Sequence, residues 1–86
     1  MKNIILSLVK GLCNNEEKVE VSEEIKGNLC IYHVKVDEDD MGRVIGAGGK
    51  NINAITTLIK SFGFKKDNKL RYIIKINDEQ KNEVLL

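Results

Sequence analysis

The stretch VIGAGGKNI, from Val44 to Ile52, places three of the chain's seven glycines within four positions, between branched apolar residues. Glycine adopts backbone angles that other residues resist, so a cluster of this kind is typical of a sharp turn. The missing side chains also let another molecule approach the main chain, and a helix that begins after the turn presents unpaired N–H groups. The stretch therefore predicts either a tight turn without a ligand or a small anion site suited to a phosphodiester backbone.

Two other glycine motifs do not fit this stretch. A Walker A loop that ends at Lys50 needs glycine where Val44 stands, and serine or threonine where Asn51 stands. A dinucleotide-binding fingerprint that begins at Gly46 needs glycine in place of Asn51 and a strand before it. The residues present therefore exclude both nucleotide-binding loops.

Apolar periodicity predicts helices on both sides of the glycines and at the start of the chain. A short helix over 41–45 precedes the glycines, and an amphipathic helix that ends near Gly63 follows them. The apolar positions of this second helix are Ile52, Ile55, Ile59 and Phe62. The N-terminal apolar residues have the spacing of a helix rather than that of a secretory signal, and they are Ile4, Ile5, Leu8, Val9 and Leu12.

Three strands complete the predicted fold. Alternation of apolar and polar residues predicts strands over 19–25, 29–36 and 70–76, with a short turn at Gly27–Asn28 between the first two. The element order is therefore α-β-β-α-α-β, an α+β domain with a three-stranded sheet. A chain of 86 residues accommodates one core, so we assign residues 1–78 to a single domain and 79–86 to a loosely ordered tail.

The two halves of the chain carry opposite net charges, although the total is only +1. Residues 1–40 have five basic and nine acidic side chains, whereas residues 41–86 have nine basic and four acidic ones. This asymmetry favours one acidic and one basic surface, a distribution typical of local contact with phosphate. The segment Lys65–Lys69 either contributes to the basic surface or is simply a solvated loop.

The cysteines and the histidine predict no catalytic or metal site. Cys13 and Cys30 match no ligand spacing, which favours small buried thiols over a disulfide. The single histidine, His33, has no cysteine or serine partner close in sequence and is interpreted as a solvated strand residue. We therefore expect no enzymatic activity, no metal and no cofactor.

The acidic run over 37–40 predicts a helix cap. A calcium-binding EF-hand that begins at Asp37 would need glutamate where Gly48 stands. Carboxylates instead stabilise the positive end of a helix, and Asp39 or Asp40 is placed to cap the helix that follows.

The glycine loop, the element order and the chain length together resemble a known family. The segment DDMGRVIGAGGKNI, residues 39–52, followed by the helix from Ile55 to Phe62, resembles the core of the small bacterial single-KH proteins of the KhpA family. Its glycines resemble the GXXG loop that KH domains use to hold nucleic acid. The resemblance implies a type II KH domain, with three helices on one side of the sheet, and a non-enzymatic RNA-binding protein that acts as an RNA chaperone or post-transcriptional regulator.

The same resemblance implies where single-stranded RNA lies: in a groove lined by the two central helices, the last strand and the loop before that strand. The GXXG loop would be Gly46, Ala47, Gly48 and Gly49. Apolar contacts are expected from Val44, Ile45, Ile52 and Ile55, some of which also belong to the core. Electrostatic contacts are expected from Arg43, Lys50, Lys65, Lys66, Lys69 and Arg71.

The loop departs from the family pattern at its two middle positions. These positions usually include a lysine or arginine in the family, whereas this chain has Ala47 and Gly48. The change removes one phosphate partner, so we expect weak binding, roughly 10 to 100 micromolar near physiological salt, with slight sequence preference. An alternative hypothesis is a protein-interaction module that retains the KH fold with weakened RNA binding.

The resemblance also implies protein partners and a cellular location. Family members form homodimers, and they pair with a larger KH-domain protein linked to cell-envelope growth and cell shape. The apolar residues Ile31 and Ile73, expected to be exposed, and the tail segment Val84–Leu86 are candidate contacts. We expect a cytoplasmic protein that does not insert into the membrane.

Overall fold

Three helices and three strands follow one another in the predicted order. The computed structural model describes residues 1–67 and 69–77. The elements are α1 (Lys2–Leu12), β1 (Glu20–Lys26), β2 (Leu29–Lys35), α2 (Met41–Ile45), α3 (Lys50–Lys66) and β3 (Arg71–Ile76). Single 3₁₀ turns at Glu16–Lys18, Glu38–Asp40 and Ala47–Gly49 connect them. The α+β fold expected from the apolar pattern is confirmed.

The three strands form one sheet in the order β1-β2-β3, with β2 in the centre. β1 and β2 are antiparallel and form the predicted hairpin, in which Lys26 opposes Leu29 across the turn at Gly27. β2 and β3 are parallel, so the chain must cross over between them, and that crossover contains α2, the glycine loop and α3. The sheet topology therefore places the glycine loop and its following helix on one face of the sheet.

The core lies between this face and the helices. The β2 residues Cys30, Tyr32 and Val34 point to the helices and are almost fully buried, as their alternation predicted. Two hydrogen bonds place the polar atoms of this region: the Tyr32 hydroxyl donates to Glu23 Oε2 at 2.7 Å, and the Cys30 thiol donates to the same oxygen at 3.7 Å. The remaining core residues are Ile5, Val9, Cys13, Val19, Val36, Val44, Ile55, Ile59, Tyr72 and Ile76.

Both cysteines are free and buried, which confirms the interpretation of Cys13 and Cys30 as thiols. Burial raises the pKa of both thiols. His33 lies on the opposite, outer face of the sheet, partly exposed, with its Nε2 atom 2.9 Å from Glu24 Oε1. This hydrogen bond is the largest of the effects that lower the pKa of Glu24.

Four apolar residues differ from their predicted exposure. Ile4, Ile25 and Phe62, expected on buried faces, are 41%, 57% and 43% exposed, whereas Ile31, expected to be exposed, is only 5% exposed. Ile25 lies near the end of an edge strand, and Phe62 lies near the C-terminal end of α3. Ile31 lies on the central strand, where its register partners Glu24 and Ile73 flank it on both sides.

The helix predicted to end near Gly63 continues to Lys66. Gly63 is buried within the helix, and a β-carbon built on it would lie 2.6 Å from Cδ2 of Tyr72. This glycine therefore permits close packing of helix against strand and does not end the helix. Consequently Lys65 and Lys66 lie on the last helical turn rather than in a loop, and β3 begins at Arg71.

Asp40 has a different role from the predicted helix cap. It is 1% exposed, and its carboxylate accepts hydrogen bonds from the main-chain N–H groups of Asn15 at 3.0 Å and Asn14 at 3.1 Å. Those two bonds hold the pKa of the Asp40 carboxyl below its ordinary value. Asp40 occupies the N-cap position of α2 without making a side-chain capping bond, whereas Asp37 caps the preceding turn by accepting from the N–H of Asp39 at 3.0 Å.

Several expectations concern residues that the structure does not describe. Asn68 of the basic segment, the domain end at residue 78 and the tail over 79–86, with its candidate contacts at Val84–Leu86, all lie outside the described residues. Within the described ranges, no helix is long and apolar enough to cross a bilayer.

Candidate nucleic-acid interface

The glycine loop turns the chain between α2 and α3 through three left-handed backbone positions. Gly46, Gly48 and Gly49 have φ angles of 78°, 63° and 81°. An L-residue with a side chain adopts such angles only at an energetic cost, so the turn favours glycine at all three positions. Ala47, the one residue of the loop with a β-carbon, has an ordinary negative φ.

Asn51 fixes the two ends of this turn. Its side-chain Nδ2 donates to the main-chain carbonyl of Arg43 at 2.7 Å, which links the first turn of α3 to α2. Asn51 also leaves no space beside Gly46, because a β-carbon on Gly46 would lie 2.8 Å from the main-chain nitrogen of Asn51. Gly46 is therefore required both by its φ angle and by this close approach.

The loop leaves main-chain groups accessible to a ligand. Ala47 and Gly48 are exposed, and a β-carbon on Gly48 would meet no atom within 4 Å. α3 begins after Gly49, which has no side chain to cap the helix, so no side-chain hydrogen bond satisfies its first N–H groups. These N–H groups and the positive end of the α3 dipole can hold a phosphate oxygen.

The four apolar residues expected to touch RNA divide into two pairs. Val44 is fully buried and Ile55 is 5% exposed, so both side chains belong to the core and offer almost no surface to a ligand. Their burial confirms the expectation that some of the four residues belong to the core. Ile45 and Ile52 are half-buried beside the loop and retain surface that could contact a ligand.

The basic residues expected at the site form two separate groups. Arg43 and Lys50 flank the glycine loop, and both are exposed. Lys65, Lys66, Lys69 and Arg71 lie at the other end of α3 and just beyond it, also exposed. Sixteen helical steps from Lys50 to Lys66 span about 24 Å, so a ligand must extend along α3 to meet both groups.

A groove between α3 and the free edge of β3 lies next to the second basic group. Its lining consists of Lys60, Phe64, Leu70, Arg71, Tyr72 and Ile73, with a cavity of about 270 Å³. An adjoining depression continues along α3 past Thr57 and Ser61. Of these residues, sequence reasoning had assigned only Arg71 to the site.

The sequence contains a residue pattern that indicates this groove. Asn53, Thr57, Lys60 and Phe64 follow one another at steps of four, three and four, so they share one face of α3. That face begins beside the loop, since the nearest atom to a β-carbon built on Gly49 is Asn53 Nδ2 at 3.5 Å. The polar character of its first three residues obscured the stripe, because apolar periodicity detects only the buried side of a helix.

Comparison with known proteins identifies one matching family and several relatives. The family model described as KhpA/KhpB, KH domain, matches residues 2–76. The RNA-binding protein KhpA of Listeria monocytogenes is 41% identical over 71 residues, which is 83% of this chain and 93% of the relative. That of Caldanaerobacter subterraneus is 37% identical over 88% of this chain and 99% of the relative. That of Chlamydia pneumoniae is 31% identical over 93% of this chain and all of the relative. No solved structure shows a significant match to the chain.

Proposed function

The chain belongs to the KhpA/KhpB KH-domain family, and we propose that it is a non-enzymatic protein that binds single-stranded RNA in the cytoplasm as an RNA chaperone or post-transcriptional regulator. The relatives described above carry the name RNA-binding protein. The observation that carries the proposal is the glycine loop, whose three positive φ angles expose main chain at the uncapped start of α3. A turn without a ligand does not require exposed amides in this arrangement.

The loop contacts the phosphodiester backbone and the basic groups hold the strand along α3. The N–H groups around Ala47 and Gly48 bind phosphate oxygens, and Arg43 and Lys50 add charge at both ends of the loop. Ile45 and Ile52 provide apolar contact beside it. Affinity is weak, roughly 10 to 100 micromolar near physiological salt, because no basic side chain extends from the loop itself.

A charge substitution in the loop tests the proposal. A labelled mixed-sequence RNA of about ten nucleotides is titrated with the protein at about 50 and about 200 mM salt, and binding is followed by fluorescence anisotropy. The double variant Ala47→Asp, Gly48→Asp places two carboxylates against the phosphates and should abolish binding. Both positions are exposed, and aspartate tolerates the left-handed angle of Gly48 better than most residues do, so the fold is retained.

The matched control carries the same change in net charge elsewhere. Asn3→Asp with Ser7→Asp adds two carboxylates to exposed positions of α1, outside the proposed interface. This control should bind RNA nearly as the parent protein does. Equal affinity of the parent and the loop variant, with both folded by circular dichroism, would overturn the proposal.

We also propose that the chain pairs with a second copy or with a larger KH-domain protein. The outer face of the sheet has acidic residues on one edge strand, Glu20 and Glu24, and the basic residue Lys75 on the other. A two-fold axis parallel to the strands would set the acidic edge of each copy against the basic edge of the other. Ile73, 38% exposed, lies on this same face.

Sedimentation velocity tests the pairing. We expect a species larger than the monomer at high protein concentration or with the partner protein, and we expect Lys75→Glu to weaken it, because this change places like charges opposite each other. A monomer under both conditions would rule out this second proposal without affecting the first.

A further inference from the structure

Phe64 is an exposed aromatic side chain next to unpaired cations. Its side chain is 69% exposed, the highest value among the large apolar residues that the structure describes. It lies on the last turns of α3 and lines both the groove along β3 and the depression that continues toward the glycine loop. A ligand that covers this side chain would remove apolar surface from water, which favours binding.

The groove beside Phe64 is apolar with cations at its rim. Lys60 and Arg71 contribute its charged side chains, and none of the described residues that line it carries a carboxylate. In the part of the chain that the structure describes, neither of these two residues takes part in an ion pair. The nearest acid in sequence is Asp67, whose carboxylate accepts a hydrogen bond from the N–H of Lys69 at 2.9 Å.

We propose that Phe64 is a stacking platform for one nucleobase of a bound RNA strand, with Lys60 and Arg71 contacting the phosphates on either side of that base. This inference rests on the proposed function, and it adds a base-binding position about 21 Å from the glycine loop, measured along α3 from Lys50 to Phe64. Stacking on aromatic rings accepts every base, because each base has a flat π-face. The subsite therefore adds affinity without sequence preference.

The size and connection of the groove agree with a single base. Its volume of about 270 Å³ is large enough for one ring system. The face of α3 formed by Asn53, Thr57, Lys60 and Phe64 joins this groove to the loop. A strand held by the loop can therefore follow this face to reach Phe64.

Charge favours RNA over a protein partner as the ligand of this groove. Two unpaired cations beside an aromatic ring complement phosphates and a base, and both cations would be desolvated without compensation under a purely apolar protein surface. A protein segment at Phe64 is the competing outcome, and the experiment below separates the two.

The variant Phe64→Trp provides a direct optical readout, because the chain contains no other tryptophan. Stacking of a base on the indole quenches its fluorescence. We expect quenching on addition of a single-stranded RNA of about ten nucleotides, and little or none with an abasic strand of the same length that keeps the phosphates. In parallel, Phe64→Ala should weaken RNA binding roughly five- to hundredfold, the range for loss of one aromatic–base stack.

Phe62→Ala is the matched control. Phe62 is on the same helix, 43% exposed, and is not among the residues that line the groove. This variant should retain the parent affinity for RNA. The salt dependence of the Phe64→Ala complex should also equal that of the parent, because no phosphate contact is lost.

The outcomes distinguish this inference from the function on which it rests. If the parent binds RNA while Phe64→Ala binds equally well and Phe64→Trp is not quenched, the stacking subsite is overturned and the RNA-binding proposal stands. If the parent protein does not bind RNA, both fail. If the Phe64→Trp emission changes with protein concentration alone, Phe64 belongs to a protein interface and the inference is likewise overturned.

Discussion

Gly63 of α3 lies directly against the aromatic ring of Tyr72 on β3, so close that a methyl group on the glycine would overlap the ring. The Tyr72 hydroxyl donates to the main-chain carbonyl of Asp67 at 3.3 Å, which limits how far the ring can shift. The contact sets the distance between α3 and the edge strand, and therefore the width of the groove that Phe64 lines.

We predict that Gly63→Ala lowers the free energy of unfolding by about 1–2 kcal/mol. Overpacking of a core typically costs about 1–3 kcal/mol, and the higher helix propensity of alanine offsets up to about 1 kcal/mol of that cost. The measurement is urea denaturation followed by circular dichroism. The control is Gly11→Ala, at a position in α1 where a β-carbon meets nothing within 4 Å, and this variant should be slightly stabilised. Equal stability of the two variants would contradict the packing role of Gly63.

We predict that the protein loses the stability contributed by the Asp40 carboxylate in acid. This carboxyl has a pKa below the ordinary value, mainly because the N–H groups of Asn15 and Asn14 donate to it. A carboxyl of this kind stabilises the folded state above its unfolded pKa, about 3.9, and the contribution is lost as the pH falls through the lower, folded value. Denaturant midpoints measured from about pH 7 to about pH 3 should therefore decrease for the parent protein.

The variant Asp40→Asn should be less stable than the parent at neutral pH, and the difference between the two should shrink as the pH falls below about 4. Asp39→Asn is the control, because the hydrogen bond recorded for this residue uses its main-chain N–H and not its carboxylate. Parallel pH curves for the parent and Asp40→Asn would show that the buried carboxylate does not contribute in this way.

We predict that a lysine in place of Ala47 increases the affinity for RNA. The variant Ala47→Lys places a cation on an exposed loop position with an ordinary backbone angle, so the fold should be unaffected. One added phosphate contact should tighten RNA binding and increase the slope of log affinity against log salt by roughly 0.7, the value for one contact to a single strand. Anisotropy titrations at several salt concentrations measure both quantities. A lysine that leaves affinity and slope unchanged would place the RNA backbone away from the loop.

The two tyrosines predict an alkaline transition. Burial raises the pKa of Tyr32, and its hydrogen bond to Glu23 adds to the effect; burial also raises the pKa of Tyr72. Since a raised folded pKa stabilises the fold below the unfolded value of about 10, this contribution is lost as the pH rises above it. Tyrosinate absorbance of the folded protein should therefore begin to rise at higher pH than that of the chain in denaturant. Coincident titration curves would refute the shift.

The pattern of apolar residues was sufficient to predict the order of helices and strands. It is clearest along β2, where buried and more exposed positions alternate. Cys30, Tyr32 and Val34 share the buried face because the central strand has the helices on one side only. The same rule failed for Ile31, since a central strand can be covered on its outer face by the side chains of its neighbours. Local sequence does not reveal which strand is central.

The candidate site was only partly predictable. The glycine loop was recognisable because Gly46, Gly48 and Gly49 fall within four positions, a cluster typical of a sharp turn. Contacts between residues of different elements were not recognisable. Gly63 was predicted to end the helix, because the local sequence does not show its contact with Tyr72. Phe64 was overlooked for a related reason, since the groove exists only once β3 lies beside α3.

In the glycine loop, the residues that determine the backbone shape differ from the residue that determines the charge. Its shape depends on glycines with positive φ angles and on the Asn51 bond to Arg43, whereas the charge it presents depends on Ala47. A single codon change at position 47 can therefore alter the charge of the loop while the turn stays intact. If the loop holds RNA as proposed above, natural selection can adjust the affinity for RNA without changing the stability of the fold.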